Sequence, residues 1–217
     1  MGIFEKEITS IMSIPVRPVN ESYLGFNFFD FLATLPANES FGKIKEILVK
    51  KNEYIYDPAS EHLYMYEILE GAVKLGSYTE DGEEFTFDVL SKHDFFGDLK
   101  YLNNQFFEFS KALVDTRIRI YNREFFKQMV LQGPEVSEWF ISYLVKRWCS
   151  TEKKLKKLHE KKAKEKLTFL NTYFNLNIKD ANGASFVLMD LLTQKDLGDL
   201  IGVSRQTVAS TSKVKKK

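Results

Sequence analysis

The chain has 217 residues, enough for one large or two small domains, and 31 Lys and Arg against 30 Asp and Glu leave a formal net charge of +1. Its 44% hydrophobic and 28% charged residues are ordinary for a globular protein, and no apolar run approaches the roughly 18 residues of a membrane span. The single cysteine, Cys149, excludes an internal disulfide and a multi-cysteine iron–sulfur centre, and points to a reducing cytoplasm.

The N-terminus, Met1 to Thr9, mixes charged and apolar residues and carries no signal-peptide core. Phe28 to Leu35 is a short apolar helix candidate ended by Pro36, and Phe41 to Val49 either continues as a helix or leads into a first strand. From Lys50 to Asn122 the pattern turns to strands. Tyr54-Ile-Tyr56 is followed by a turn at Asp57-Pro58, the run His62 to Leu69 by a turn at Glu70-Gly71, and Ala72 to Tyr78 by a hairpin signal at Glu80 to Glu83. Short strands with turns every 8–12 residues or so predict an all-β barrel or jelly roll.

Pro134 opens a long helix. Leu144, Trp148, Thr151, Leu155, Leu158 and Lys162 fall at alternating steps of four and three, the seam of a coiled coil. Cys149 beside Trp148 reads as a buried, inert thiol. Ten Lys or Arg against three Glu lie between Lys146 and Lys166 and read as a solvated face rather than a phosphate-binding one. Ala163 to Leu176 is a further amphipathic helix, Asp180 to Gly183 a turn, and Ser185 to Met189 a short strand.

The richest signal begins at Thr193. Leu197, Leu200 and Ile201 form one face of a short helix, which Thr193 caps with Asp196 three residues on. Gly198 allows close approach of a second helix, and Gly202 suits a left-handed turn. Ser204 caps a second helix, with Val203 and Val208 facing inward. This is a helix-turn-helix, whose second helix enters the major groove. Arg205 suits guanine and Gln206 adenine, while Thr193, Gln194, Lys195, Ser204 and Thr207 are donors suited to phosphates.

Leu192 to Val208 resembles the helix-turn-helix of the Crp/Fnr family of transcription regulators, in which a Ser-Arg-x-Thr-Val string opens the recognition helix. A third base-reading position of that family, often arginine, falls on Ser210. The β-rich stretch resembles the family's effector domain at Asp57-Pro58, His62-Leu-Tyr64, Leu69-Glu70-Gly71, Asp81-Gly82, Phe96-Gly-Asp-Leu99 and Ala112 to Thr116. The resemblance implies an α+β chain: an N-terminal β-roll (double-stranded β-helix or jelly roll) over 1–133, a dimerisation helix over 134–162 and a winged-helix-type helix-turn-helix over 163–217. It implies a homodimer joined at Leu144, Trp148, Thr151, Leu155 and Leu158, bound to a palindromic site on double-stranded DNA. Thr211, Ser212 and Lys213 supply no apolar anchor for the recognition helix, and the lysine tail leaves no residues for a wing; the expectation is a shortened DNA-binding unit.

In cyclic-nucleotide-binding members of the family a glycine–glutamate pair opens a phosphate cassette, and an arginine about ten residues later holds the cyclic phosphate. A buried phosphate needs such a cation or several N–H donors. Here Gly97 matches, Asp98 is one methylene short, and the arginine's place falls on Phe106 or Phe107. Gly97, Asp98, Leu99 and Ser110 are the candidate effector contacts. Cyclic AMP is not expected to bind in the usual way, Glu108 would repel a phosphate if it pointed inward, and Phe95, Phe96, Phe106, Phe107 and Phe109 are candidates to fill the pocket.

The three histidines, His62, His93 and His159, lie far apart and lack the His-x-His spacing of a metal-dependent barrel enzyme. No catalytic constellation is readable, so no enzyme activity, metal or other cofactor is expected. The competing reading is a dimeric ligand-binding module with lost or weakened DNA binding.

Overall fold

The computed structural model describes residues 25–36, 42–59, 61, 63–101 and 108–213. The basic tail 214–217, His62 and the pocket candidates Phe106 and Phe107 lie outside the described residues.

Helix α1, Phe28–Leu32, starts at Asn27, whose side-chain oxygen accepts from the N–H groups of Phe29 and Asp30 at 2.9 and 3.2 Å. Eight strands follow: β1 Ile44–Val49, β2 Tyr54–Tyr56, β3 Tyr64–Glu70, β4 Ala72–Tyr78, β5 Glu84–Ser91, β6 Phe95–Gly97, β7 Phe109–Ala112 and β8 Thr116–Asn122. They form two four-stranded antiparallel sheets in the orders β1-β8-β3-β6 and β2-β7-β4-β5. Ile68, Val73, Leu75 and Ile118 meet between them, fully buried. The segment before Val49 is a strand because it pairs with β8, from Ile44 opposite Tyr121 to Val49 opposite Thr116.

Glu80 to Glu83 closes the β4–β5 hairpin. Gly71 does something else: β3 and β4 belong to different sheets, and Gly71 is the corner between them. Its φ of +97° is left-handed, and a Cβ there would stand 2.5 Å from Thr116 Oγ1.

Helix α2 spans Arg123–Gln132 and α3 spans Pro134–Leu158. Their inner faces meet α1 and the sheet in an aromatic core of Phe28, Phe95, Tyr121, Phe126, Trp139 and Phe140. Phe28 and Trp139 stack with ring centres 5.3 Å apart and planes 3° from parallel. α3 ends at Leu158, short of the expected boundary at 162. Lys162 instead stands in extended backbone before α4, Ala163–Tyr173, so the last step of the predicted seam is off the helix.

The chain closes with the hairpin β9 Asn177–Lys179 and β10 Ser185–Val187, a 3-10 turn at Leu188–Leu191, α5 Gln194–Ile201 and α6 Arg205–Lys213. Leu170, Phe174, Leu188, Ile201 and Val208 form the centre of this unit. That core does not stop at the unit's edge, because Ala72, Val89, Leu113 and Val114 of the β-roll are part of it. Backbone bonds reinforce the joint, from Gly71 N to Lys179 O and from Ala181 N to Asp115 O, both 2.8 Å. The Asp115 carboxylate accepts from Lys51 N, Lys50 Nζ and Asn182 Nδ2, which together hold its pKa down at about 2. No helix among the described residues is long and apolar enough to cross a membrane.

Candidate functional site

α5 begins with a reciprocal cap. Thr193 Oγ1 accepts from Asp196 N at 3.1 Å, and Asp196 Oδ2 accepts from Thr193 N at 3.0 Å. Gly202 ends the helix in the left-handed conformation, φ 64° and ψ 44°. A Cβ on Gly198 would lie 2.6 Å from the Val203 carbonyl oxygen, so the turn closes only over a glycine. Ser204 Oγ accepts from Thr207 N at 3.1 Å and starts α6. Val208 is wholly buried, while Ser204, Arg205, Gln206 and Ser210 are exposed and Thr207 is half-buried. The candidate base-reading residues thus share the outward side of one helix. The Ser210 and Thr211 hydroxyls turn back to the Thr207 carbonyl at 3.0 and 2.7 Å.

Thr193, Gln194 and Lys195 are also exposed, but the Lys195 amine is engaged within the chain. It donates to the Glu84 carbonyl on β5 and pairs with Asp199 at 3.1 Å. Asp196, almost wholly buried, meets Lys74 Nζ at 2.7 Å and Thr86 Oγ1 at 2.8 Å, and Asp199 accepts from Thr86 N at 3.1 Å. Burial pushes the Asp196 pKa up, but the hydrogen bonds from Lys74, Thr193 and Thr86 outweigh it and hold the carboxyl below its usual range. α5 is therefore fastened to the β4–β5 hairpin. The bonds to Lys74 and Thr86 span 122 and 110 positions of sequence, beyond any spacing rule.

A cavity of about 310 Å³ opens between the β-roll and α3, lined by Met65, Leu75, Phe95, Phe96, Gly97, Leu99, Glu108, Phe140, Tyr143, Leu144 and Arg147. Gly97 and Leu99 of the predicted set line it. Asp98 is not among the lining residues, and its carboxylate accepts from Lys100 N at 2.6 Å. Ser110 lies wholly buried on β7. Of the phenylalanines expected to fill the pocket, Phe95 and Phe96 line the cavity, and each also joins a neighbouring core. Phe96 belongs to the sandwich core, Phe95 turns to the aromatic core around Trp139, and Phe109 packs against Tyr54 and Tyr78.

Glu108, Tyr143 and Arg147 are the polar side chains of the cavity wall. Tyr143 Oη donates to the Phe95 carbonyl at 2.6 Å. Arg147 reaches Phe95 O at 3.2 Å and Asp88 at 2.8 Å, and Lys154 joins Asp88 from the same helix face. Glu108 has the Tyr56 hydroxyl as its hydrogen-bond donor and no ion pair among the described residues. Desolvation raises its pKa to about 7, against the lowering effects of Tyr56 and Arg147.

The cyclic nucleotide-binding domain family matches residues 46–132. The anaerobic regulatory protein of Bacillus subtilis is 19% identical over 199 residues, covering 90% of this chain and 79% of that protein. A CRP-like cAMP-activated global transcriptional regulator of Mycobacterium tuberculosis is 27% identical over 150 residues, covering 66% of this chain and 65% of that one. Among solved structures, a putative transcriptional regulator of the Crp/Fnr family from Eubacterium rectale superposes with a TM-score of 0.65 at 17% identity, over 89% of this chain and 87% of that one. Over residues 46–132 the β-roll thus matches the cyclic nucleotide-binding domain, and the relatives similar to this chain are transcription regulators.

Ile141, Leu144, Val145, Trp148 and Leu155 form an exposed apolar stripe along α3, with Trp148 66% exposed. Thr151 is exposed on the same helix, its hydroxyl on the Arg147 carbonyl at 3.0 Å. Leu158 differs: it is half-buried and packs on the core of the helix-turn-helix unit. Cys149, expected to be buried, is exposed, because the inward face of α3 runs through Tyr143, Arg147 and Ser150 instead. Sequence reasoning missed Arg147, taken as one charge in a basic run, and Tyr143. Its signal was the spacing of four that sets Arg147 on the helix face of Tyr143.

Proposed function

We propose that this regulator acts in the cytoplasm as a homodimer that binds two-fold sites on double-stranded DNA, under the control of an effector other than cyclic AMP held in the cavity beside α3. The observation that carries the DNA-binding reading is α6, which buries Val208 and turns Arg205, Gln206 and Ser210 outward from a capped, glycine-cornered turn. Arginine and glutamine there meet guanine and adenine edges, and Thr193, Gln194, Ser204 and Thr207 meet phosphates. The exposed stripe on α3 supports the dimer, since it offers heptad-spaced apolar residues to a second copy. The carboxylate of Glu108 in the cavity wall supports an effector that is not a phosphate.

A mobility shift against palindromic sites of the kind Crp/Fnr proteins bind tests the reading. Arg205→Ala is expected to weaken retention by about 5- to 150-fold, the equivalent of 1–3 kcal/mol for one bidentate base contact. Equal retention of wild type and variant would instead favour a ligand-binding module without sequence readout.

A further inference from the structure

Among the described residues the cavity wall has one cation, Arg147, and it is already neutralised: one guanidinium nitrogen bonds Asp88 at 2.8 Å, and another donates to the Phe95 carbonyl at 3.2 Å. Lys154 also gives its charge to Asp88. Asp98 accepts from its own loop. Glu108 remains, a carboxylate facing the cavity with a neutral phenol for its hydrogen bond and no cation paired to it among the described residues. Ser110 on β7 pairs with Leu75 of β4, which lines the cavity. The Ser110 hydroxyl is buried with no hydrogen-bond partner among the described residues. The remaining wall is Met65, Leu75, Phe95, Phe96, Leu99 and Phe140.

A buried charge without a counter-charge is costly and favours whatever supplies one. We propose that the cavity takes an organic cation, with a protonated amine held by Glu108 and an apolar, aromatic body against the phenylalanine and aliphatic wall. This rests on the reading of the cavity as the effector site and specifies the effector's chemical class. The volume of about 310 Å³ suits a small molecule. An ammonium group would supply the donors that the Glu108 carboxylate accepts. An anion of equal size would meet the Glu108 charge with no free cation beside it.

Titration of Glu108 gives the binding a pH signature. The groups that bear on it are Tyr56 from β2, Asp88 from β5, Asp98 after β6, and Arg147 and Tyr143 from α3. Its pKa of about 7 leaves it mostly neutral at mildly acid pH, whereas an aliphatic amine stays protonated throughout.

The test is calorimetric titration of the full chain with phenethylamine and tryptamine, and with the matched acids phenylacetate and indole-3-acetate. The amines are expected to bind at least tenfold more tightly than the acids, with affinity rising about thirtyfold from pH 5.5 to pH 8 as Glu108 ionises. Glu108→Gln, which keeps the shape and an acceptor for Tyr56, is expected to lose at least tenfold in amine affinity and all of the pH dependence. Circular dichroism of that variant separates lost binding from lost folding. Acids that bind as tightly as amines would overturn the charge class while leaving the cavity as an effector site. No binding of any of the four would overturn both. Unchanged amine affinity in Glu108→Gln would remove Glu108 as the anchor. None of these outcomes depends on DNA binding, which the mobility shift tests by itself.

Discussion

Replacing Glu108 by glutamine should stabilise the free protein, and only above acid pH. The Glu108 carboxyl has its pKa raised from 4.5 to about 7, first by desolvation. A carboxyl raised in the folded state favours folding at low pH, where both states hold the proton. That contribution disappears as pH climbs through the unfolded value and on through the folded one. A shift of about 2.5 units corresponds to roughly 3 kcal/mol, fully lost above about pH 8. Glutamine carries no charge at any pH and still accepts from Tyr56. Chemical denaturation of wild type and Glu108→Gln, at one protomer concentration and without ligand, should therefore give nearly equal stabilities near pH 4. The variant should lead by about 2–3 kcal/mol at pH 8, with the gap opening between pH 5 and pH 7. Comparing the two proteins cancels carboxylates such as Asp196 and Asp115, whose lowered pKa values act in the opposite sense. A gap that is constant with pH, or that widens toward acid, would refute the account of Glu108 as a half-buried carboxyl without an ion pair.

Three further outcomes follow from the geometry. Asp196→Asn removes the charge that Lys74 meets at 2.7 Å in a nearly buried pair; a loss of about 3–5 kcal/mol is expected in denaturant titration, and a loss below 1 kcal/mol would show the pair to be solvent-screened. Gly198→Ala drives a methyl to 2.6 Å from the Val203 carbonyl oxygen; the thermal midpoint should fall, whereas Gly25→Ala, with nothing within 4 Å of the new atom, should leave it unchanged. Trp148→Asp and Leu155→Lys place charges on the exposed α3 stripe, and the proposed dimer should then sediment as a monomer; wild type and variants of equal sedimentation would refute the seam.

What the sequence revealed depended on how far apart the interacting groups lie. The helix-turn-helix is legible because its determinants are adjacent: the Thr193–Asp196 cap, Gly198 under Val203, Gly202 in its left-handed turn and the Ser204 cap fall within twelve consecutive residues. The β-roll is legible as a class, from alternation and turn residues, but Gly71 read as a simple turn because nothing local shows that β3 and β4 enter different sheets. Glu108 was recognisable as a hazard to phosphate; that it lines a cavity with Phe140, Tyr143 and Arg147 of α3 depends on contacts between residues more than thirty positions apart. The Lys74–Asp196–Thr86 cluster was invisible for the same reason. Cys149 went wrong because its apolar neighbours suggested burial, when those neighbours themselves point outward.

The shared core of the β-roll and the C-terminal unit bears on how such a molecule can switch. Val89, Leu113 and Val114 of the β-roll share one core with residues of α4, α5 and α6. Any large rotation of the DNA-reading unit would wet these side chains together with Leu197 and Leu200, and would break the Lys74–Asp196 pair in the same stroke. Such a rotation would therefore expose apolar surface and break an ion pair together, a cost that any ligand driving it would have to offset. A ligand can tip that balance only by the difference between its affinities for the two arrangements, however tightly it binds either one.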